Sequence, residues 1–114
     1  MEMPYLPRAF IDDAWRGEAT PGPAAMRLGK PGELPLPVRL AGPSCLAGDL
    51  FGDYSSTQPL QPGMRVIFED MALYTMVKTN TFNGIRLPDL VLRKPSGELE
   101  IVRQFGYDDF RSRL

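Results

Sequence analysis

Cys45 is the only cysteine of the chain, and Asp49 follows it within the stretch Ala41-Gly42-Pro43-Ser44-Cys45-Leu46-Ala47-Gly48-Asp49. An unperturbed thiol has a pKa near ~8.5, so it holds and releases a proton close to neutral pH. The chain contains no histidine, which removes the commonest acid–base side chain and the commonest metal ligand. Any chemistry therefore falls to Cys45, to carboxylates, to tyrosine, to lysine or to a cofactor. Each candidate also has a bland counterpart. A lone cysteine packs as a small hydrophobe, Asp49 caps a turn after Gly48, and the adjacent Glu69 and Asp70 are solvated carboxylates at a strand end. The sequence shows no glycine-rich phosphate loop, metal-ligand cluster or nucleophile elbow.

The elements that would position these groups are read from pattern. Gly42 and Pro43 stop a preceding strand, because proline lacks an N–H and glycine tolerates positive φ. Val38-Arg39-Leu40-Ala41 alternates as a short strand leading into the cysteine loop. Leu50-Phe51-Gly52-Asp53-Tyr54-Ser55 mixes apolar and turn residues and reads as a loop rim. Pro59 to Gly63 is a turn, and Met64 to Glu69, rich in β-branched and aromatic residues, is the clearest strand. Asp70 to Lys78 suits a short helix or a bend. Pro88 to Lys94 and Glu98 to Gln104 read as two strands joined by a hairpin turn at Pro95-Ser96-Gly97. Acids before arginines in Gly106 to Leu114 suit a short terminal helix.

The first third of the chain reads differently. Pro4 and Pro7 keep Met1 to Phe10 irregular, and Ile11 to Arg16 has room for one helical turn capped by Asp12. From Gly17 to Pro37 proline and glycine recur so densely that an extended connector is expected. Its Pro-x-Pro spacing is also the form a proline-recognising module reads, although most such runs are plain loops. The expected organisation is an extended arm and linker over 1–37 and a β-rich domain over 38–114.

The 114 residues are the size of one domain, and a net charge of −1 gives no basic footprint for nucleic acid and no polybasic membrane patch. A single cysteine excludes an internal disulfide and fits a reducing cytoplasm. No apolar run approaches the length of a membrane span, and the N-terminus lacks the regions of a signal peptide.

Gly42-Pro43-Ser44-Cys45-Leu46-Ala47-Gly48-Asp49, with Gly52-Asp53-Tyr54 after it, resembles the C-terminal domain of the carboxynorspermidine (carboxyspermidine) decarboxylases. These are pyridoxal-phosphate decarboxylases of the alanine racemase fold type. The resemblance continues through Phe68-Glu69-Asp70-Met71-Ala72, Tyr74-Thr75-Met76-Val77-Lys78-Thr79 and Thr81-Phe82-Asn83-Gly84, with a weaker patch at Met1 to Arg8. The chain carries Leu73 and Leu87 where these decarboxylases commonly carry histidine, and Leu46 where diamine decarboxylases carry an acid. The last departure suits the carboxynorspermidine branch and argues against ornithine as substrate.

The resemblance implies a mainly β fold, a partial antiparallel β-barrel or sandwich with one or two short helices. It implies that Cys45 protonates the substrate α-carbon after loss of CO2, across a dimer interface, and that Asp49 binds a cationic amine of a polyamine substrate. It implies that the Tyr74 hydroxyl donates to the phosphate of pyridoxal 5'-phosphate, while Phe82, Asn83 and Gly84 shape the pocket. The lysine that anchors the cofactor lies, in this fold type, on an N-terminal α/β barrel of ~250 residues. The chain is expected to lack that barrel, to need it and a homodimer partner, and to be inactive alone. A reading of a different class is a non-catalytic domain that dimerises with, or modulates, a full-length decarboxylase.

Overall fold

The computed structural model describes residues 6–44, 49–71 and 79–113. Among them the chain is mainly β: seven short strands in antiparallel groups and one short helix, with no closed barrel. A mainly β architecture was the sequence expectation.

The central strand is β1 (Ala9–Ile11), flanked by β2 (Met26–Arg27) and β5 (Val66–Phe68). Phe10 lies opposite Arg27 on one side and Ile67 on the other. Hydrogen bonding on both edges leaves β1 wholly buried, which suits its three apolar residues. Read from the sequence as the end of an irregular arm, Ala9–Ile11 is instead the middle of a sheet. Prolines 4 and 7 precede the strand without interrupting it, so each of its N–H groups remains available to a ladder. Asp12 does organise a turn, its Oδ1 accepting the Ala14 N–H at 3.1 Å, but this turn follows a strand and starts no helix. The Pro/Gly-rich run is largely turns and extended chain, yet it contributes β2 and the buried Leu28.

The second sheet is a hairpin of β3 (Leu36–Ala41) and β4 (Leu50–Ser56), with Val38 opposite Tyr54. Leu50 to Ser55, expected as a loop rim, is thus a strand. Pairing with β3 overrides its mixed composition, and Tyr54, Ser55 and Ser56 are buried. The two sheets join through reciprocal backbone bonds between Gly29 and Ser55, each 2.9 Å. Their shared core is Ala9, Ile11, Leu28 and Tyr54, with Met26, Leu40, Leu60, Met64, Val66 and Phe68 packed against it. The Tyr54 hydroxyl donates to the Pro7 carbonyl at 2.6 Å, which ties the segment leading into β1 to β4. Phe51 stacks on Phe68 with ring centroids 4.9 Å apart. At the surface Glu69 accepts hydrogen bonds from Arg27 at 2.8 Å and Arg8 at 3.5 Å.

A third pair, β6 (Leu90–Arg93) and β7 (Leu99–Arg103), forms the hairpin expected around Pro95-Ser96-Gly97. Gly97 takes φ 89 there, and its N–H closes the turn onto the Lys94 carbonyl at 2.8 Å. The chain then enters α1 (Tyr107–Arg111), the expected terminal helix. The Asp109 carboxylate accepts the Gly106 N–H at 2.8 Å, and Asp108, Asp109 and Arg111 occupy the ends that favour their charges. No helix among the described residues is long and apolar enough to cross a membrane.

Candidate functional site

The segment singled out by its thiol is the connection between β3 and β4. The ladder shifts register between Leu40 and Ala41, a bulge that turns the strand just before the connection begins. The Gly42 N–H then bonds to the Asp49 carbonyl at 2.7 Å, extending the pairing by one step. Cys45, the expected proton donor, lies outside the described residues, as does Tyr74, the expected phosphate ligand.

Both ends of the connection are described. Asp49 is buried, and its Oδ2 accepts the Ser44 N–H at 2.9 Å and the Ser44 hydroxyl at 2.7 Å. A carboxylate out of water needs such donors, and here the chain supplies them five residues upstream. Gly42 makes this possible, because a Cβ at that position would collide with the Asp49 carboxylate. Asp49 therefore helps close the connection by accepting from Ser44, and not by capping a turn after Gly48.

The expected pocket-shaping residues form a single tight turn, Phe82–Gly84. The Gly84 N–H bonds the Thr81 carbonyl at 2.9 Å, and Asn83 and Gly84 take φ 58 and 75. Asparagine and glycine tolerate that left-handed region better than other residues. The Asn83 side chain reaches beyond its own turn. Its Nδ2 donates to the Ser44 carbonyl at 2.6 Å, across 39 residues. Asp49 and Asn83 thus converge on Ser44, a residue that the sequence reading passed over.

Phe82 is 59% exposed and, with Asn83, borders a cavity of about 740 Å³. Arg103, Phe105 and Asp109 line another part of it. The Arg103 guanidinium sits 4.6 Å over the Phe105 ring and 3.8 Å from Asp109. A further cavity, about 410 Å³, lies by Tyr54, Arg8, Arg27 and Lys30 and contains none of the expected site residues.

Among the described residues, no lysine borders the cavity beside Phe82 and Asn83. The chain's lysines are Lys30, Lys78 and Lys94. Lys30 borders the smaller cavity, Lys94 faces Glu98 and Glu100 at 3.9 and 3.6 Å, and Lys78 lies outside the described residues.

A mainly β domain in which the Phe82–Gly84 turn is bonded to Ser44, at the start of the β3–β4 connection, is compatible with the C-terminal part of a decarboxylase that its motifs resemble. The chain is in fact a relative of the carboxy(nor)spermidine and carboxyaminopropylagmatine decarboxylases. It is 48% identical over 116 aligned positions, its whole length, to the carboxyaminopropylagmatine decarboxylase of Synechocystis sp.. It is 46% identical over 74 residues to the carboxynorspermidine/carboxyspermidine decarboxylase of Campylobacter jejuni, and 43% over 76 to that of Herminiimonas arsenicoxydans. Those two matches cover 65% and 67% of the chain. The chain spans 25%, 19% and 21% of the three relatives' lengths, about a quarter or less. No protein-family model matches it.

Proposed function

We propose that the chain is the C-terminal portion of a pyridoxal-phosphate-dependent decarboxylase of polyamine synthesis, acting on carboxynorspermidine or carboxyspermidine. The observation that carries this reading is the identity of 46% and 43% to two decarboxylases so named, beside 48% to a carboxyaminopropylagmatine decarboxylase. The bound cofactor supplies the electron sink that makes loss of CO2 accessible. The chain's own contribution is to deliver and orient. The Cys45 thiol gives its proton to the α-carbon, the Tyr74 hydroxyl donates to a phosphate oxygen, and Asp49 and Asn83 fix Ser44, the residue that precedes Cys45 in the chain. An N-terminal α/β barrel and a dimer partner complete the site, and the anchoring lysine belongs to the barrel.

A second substrate is favoured by a specific observation. The match to the carboxyaminopropylagmatine decarboxylase runs over the whole chain, whereas the other two cover about two thirds. Both substrates are carboxylated amines with a distant cationic group, so the same thiol serves either.

The test is a chimera in which this chain replaces the corresponding quarter of the Synechocystis relative. CO2 release is measured from carboxynorspermidine, carboxyspermidine and carboxyaminopropylagmatine. Release from at least one supports the reading, and the ratio of kcat/KM values assigns the substrate. A folded, cofactor-loaded chimera with no release from any of the three overturns it. If the separate chain then changes the rate of the intact relative, the non-catalytic reading takes its place.

A further inference from the structure

We infer that one face of the β6–β7 ribbon, carrying Val91, Leu99 and Ile101, is a docking surface for the portion of a decarboxylase that the relatives carry beyond the matched quarter. The register sorts the ribbon's side chains into two unlike faces. Val91 lies opposite Ile101 and Arg93 opposite Leu99, and residues two apart on a strand share a face. Val102, left unpaired beside Ile101 by the register shift, is exposed as well. On the other face Leu92 lies opposite Glu100, and Lys94 is 3.6 Å from Glu100 and 3.9 Å from Glu98. That second face is laced with charge and suits water, where an exposed leucine is ordinary. The first face shows water three apolar side chains and one arginine.

Arg93 marks one end of the apolar strip. Its stem lies against Gly17, where a Cβ would come 2.9 Å from the Arg93 Cδ, so the turn end of the ribbon rests on the rest of the chain. Area argues against a second copy as the occupant. Four half-exposed side chains from each of two copies fall well short of the ~1,200 Å² that a stable interface buries. A larger partner covers the strip together with other parts of the surface. The Synechocystis decarboxylase matches the whole chain, ribbon included, within 25% of its own length, so three quarters of that polypeptide is left to supply such a partner. The partner's identity rests on the proposed function, whereas the two unlike faces rest on the geometry alone.

The chimera described above is footprinted with hydroxyl radicals, and mass spectrometry reads the oxidation of Val91, Leu92, Leu99 and Ile101. The separate 114-residue chain, diluted until it sediments as a monomer, is the reference. The intact Synechocystis relative, read at the aligned positions, gives the same comparison with no junction. In a second measurement Ile101 of the chimera is replaced by the photoreactive amino acid p-benzoylphenylalanine, and the peptide that it captures is identified. The same replacement at Leu92 is the control.

We expect oxidation of Val91 and Ile101 to fall by about threefold or more in the chimera, as burial in an interface core requires, with Leu92 unchanged. The probe at position 101 should capture a peptide from beyond the matched quarter, and the probe at position 92 should capture none. Equal oxidation of Val91 and Ile101 in the chimera and the separate chain overturns the inference. Capture of a peptide from the matched quarter of another copy overturns it too, because the occupant is then a second copy. Decarboxylation is scored apart from docking. A protected ribbon in a chimera that releases no CO2 removes the proposed activity and leaves the docking surface, and CO2 release with an open ribbon does the reverse.

Discussion

Asp49 takes two hydrogen bonds from one residue, the N–H of Ser44 at 2.9 Å and its hydroxyl at 2.7 Å, and so closes the connection between β3 and β4. Hydrogen bonds to a charged acceptor contribute more than neutral ones, about 1.5–3 kcal/mol each by substitution. Asp49→Ala should therefore lower unfolding stability by about 2–3 kcal/mol, and Ser44→Ala by about half as much, because the backbone donor survives. Urea unfolding followed by tryptophan fluorescence measures both. An Asp49→Ala midpoint equal to the parent's rejects the closure role.

Gly42 is coupled to the same carboxylate. A methyl group at Gly42 would run into Asp49, so Gly42→Ala should cost about 1–3 kcal/mol, the usual range for overpacking. The cost should shrink when Asp49 is already alanine, since the colliding atoms are gone. A double-mutant cycle over Gly42→Ala and Asp49→Ala reads this directly. Strict additivity would show that Gly42 serves the backbone and not the carboxylate.

Local signals account for what the sequence revealed of the fold. Val66-Ile67-Phe68 reads as a strand from its own composition, the Pro95-Ser96-Gly97 turn from its residues, and α1 from its charge order. The elements that were misread are defined by distant partners. Ala9–Ile11 is a strand because residues 26–27 and 66–68 pair with it, and Leu50 to Ser56 because β3 does. The site divides in the same way. The Cys45 loop and the Phe82-Asn83-Gly84 turn were visible as motifs, while the bond from Asn83 to Ser44 spans 39 residues and leaves no local trace. Gly42 carried a partial signal, a glycine seven positions ahead of a carboxylate, whose meaning needs the hairpin.

Tyr54 gives a prediction in pH. The residue is 3% exposed, its hydroxyl donates to the Pro7 carbonyl, and burial pushes the phenol up to about 12. A folded pKa above the unfolded value of about 10 means that the neutral phenol favours the fold. That contribution is complete below about pH 10 and is lost as pH rises from there through about 12. The parent should lose stability across this window more steeply than Tyr54→Phe, which in turn should be less stable by about 0.5–1.5 kcal/mol at pH 8. Chemical unfolding at intervals from pH 8 to 12 compares them. Parallel pH curves would remove Tyr54 as their source.

The β6–β7 hairpin leads to the last prediction. Val91, Leu92, Ile101 and Val102 are 52%, 54%, 56% and 60% exposed, and the register places Val91 directly opposite Ile101 on one face. Leu92 and Glu100 pair on the opposite face, so apolar side chains meet water on both sides of a two-stranded ribbon. Such a ribbon is marginal in isolation, and among the described residues no strand pairs with either outer edge, which leaves both for another chain to extend. The 114-residue chain should therefore self-associate as its concentration rises, with sedimentation velocity showing species larger than a monomer. Val91→Lys combined with Ile101→Glu keeps a cross-strand pair, now of opposite charge, and removes the apolar face. This double variant should sediment as a monomer at the same concentrations while retaining the parent's far-ultraviolet circular dichroism. A parent that stays monomeric throughout, or a charged variant that associates as strongly, would place the cause of any association away from this hairpin.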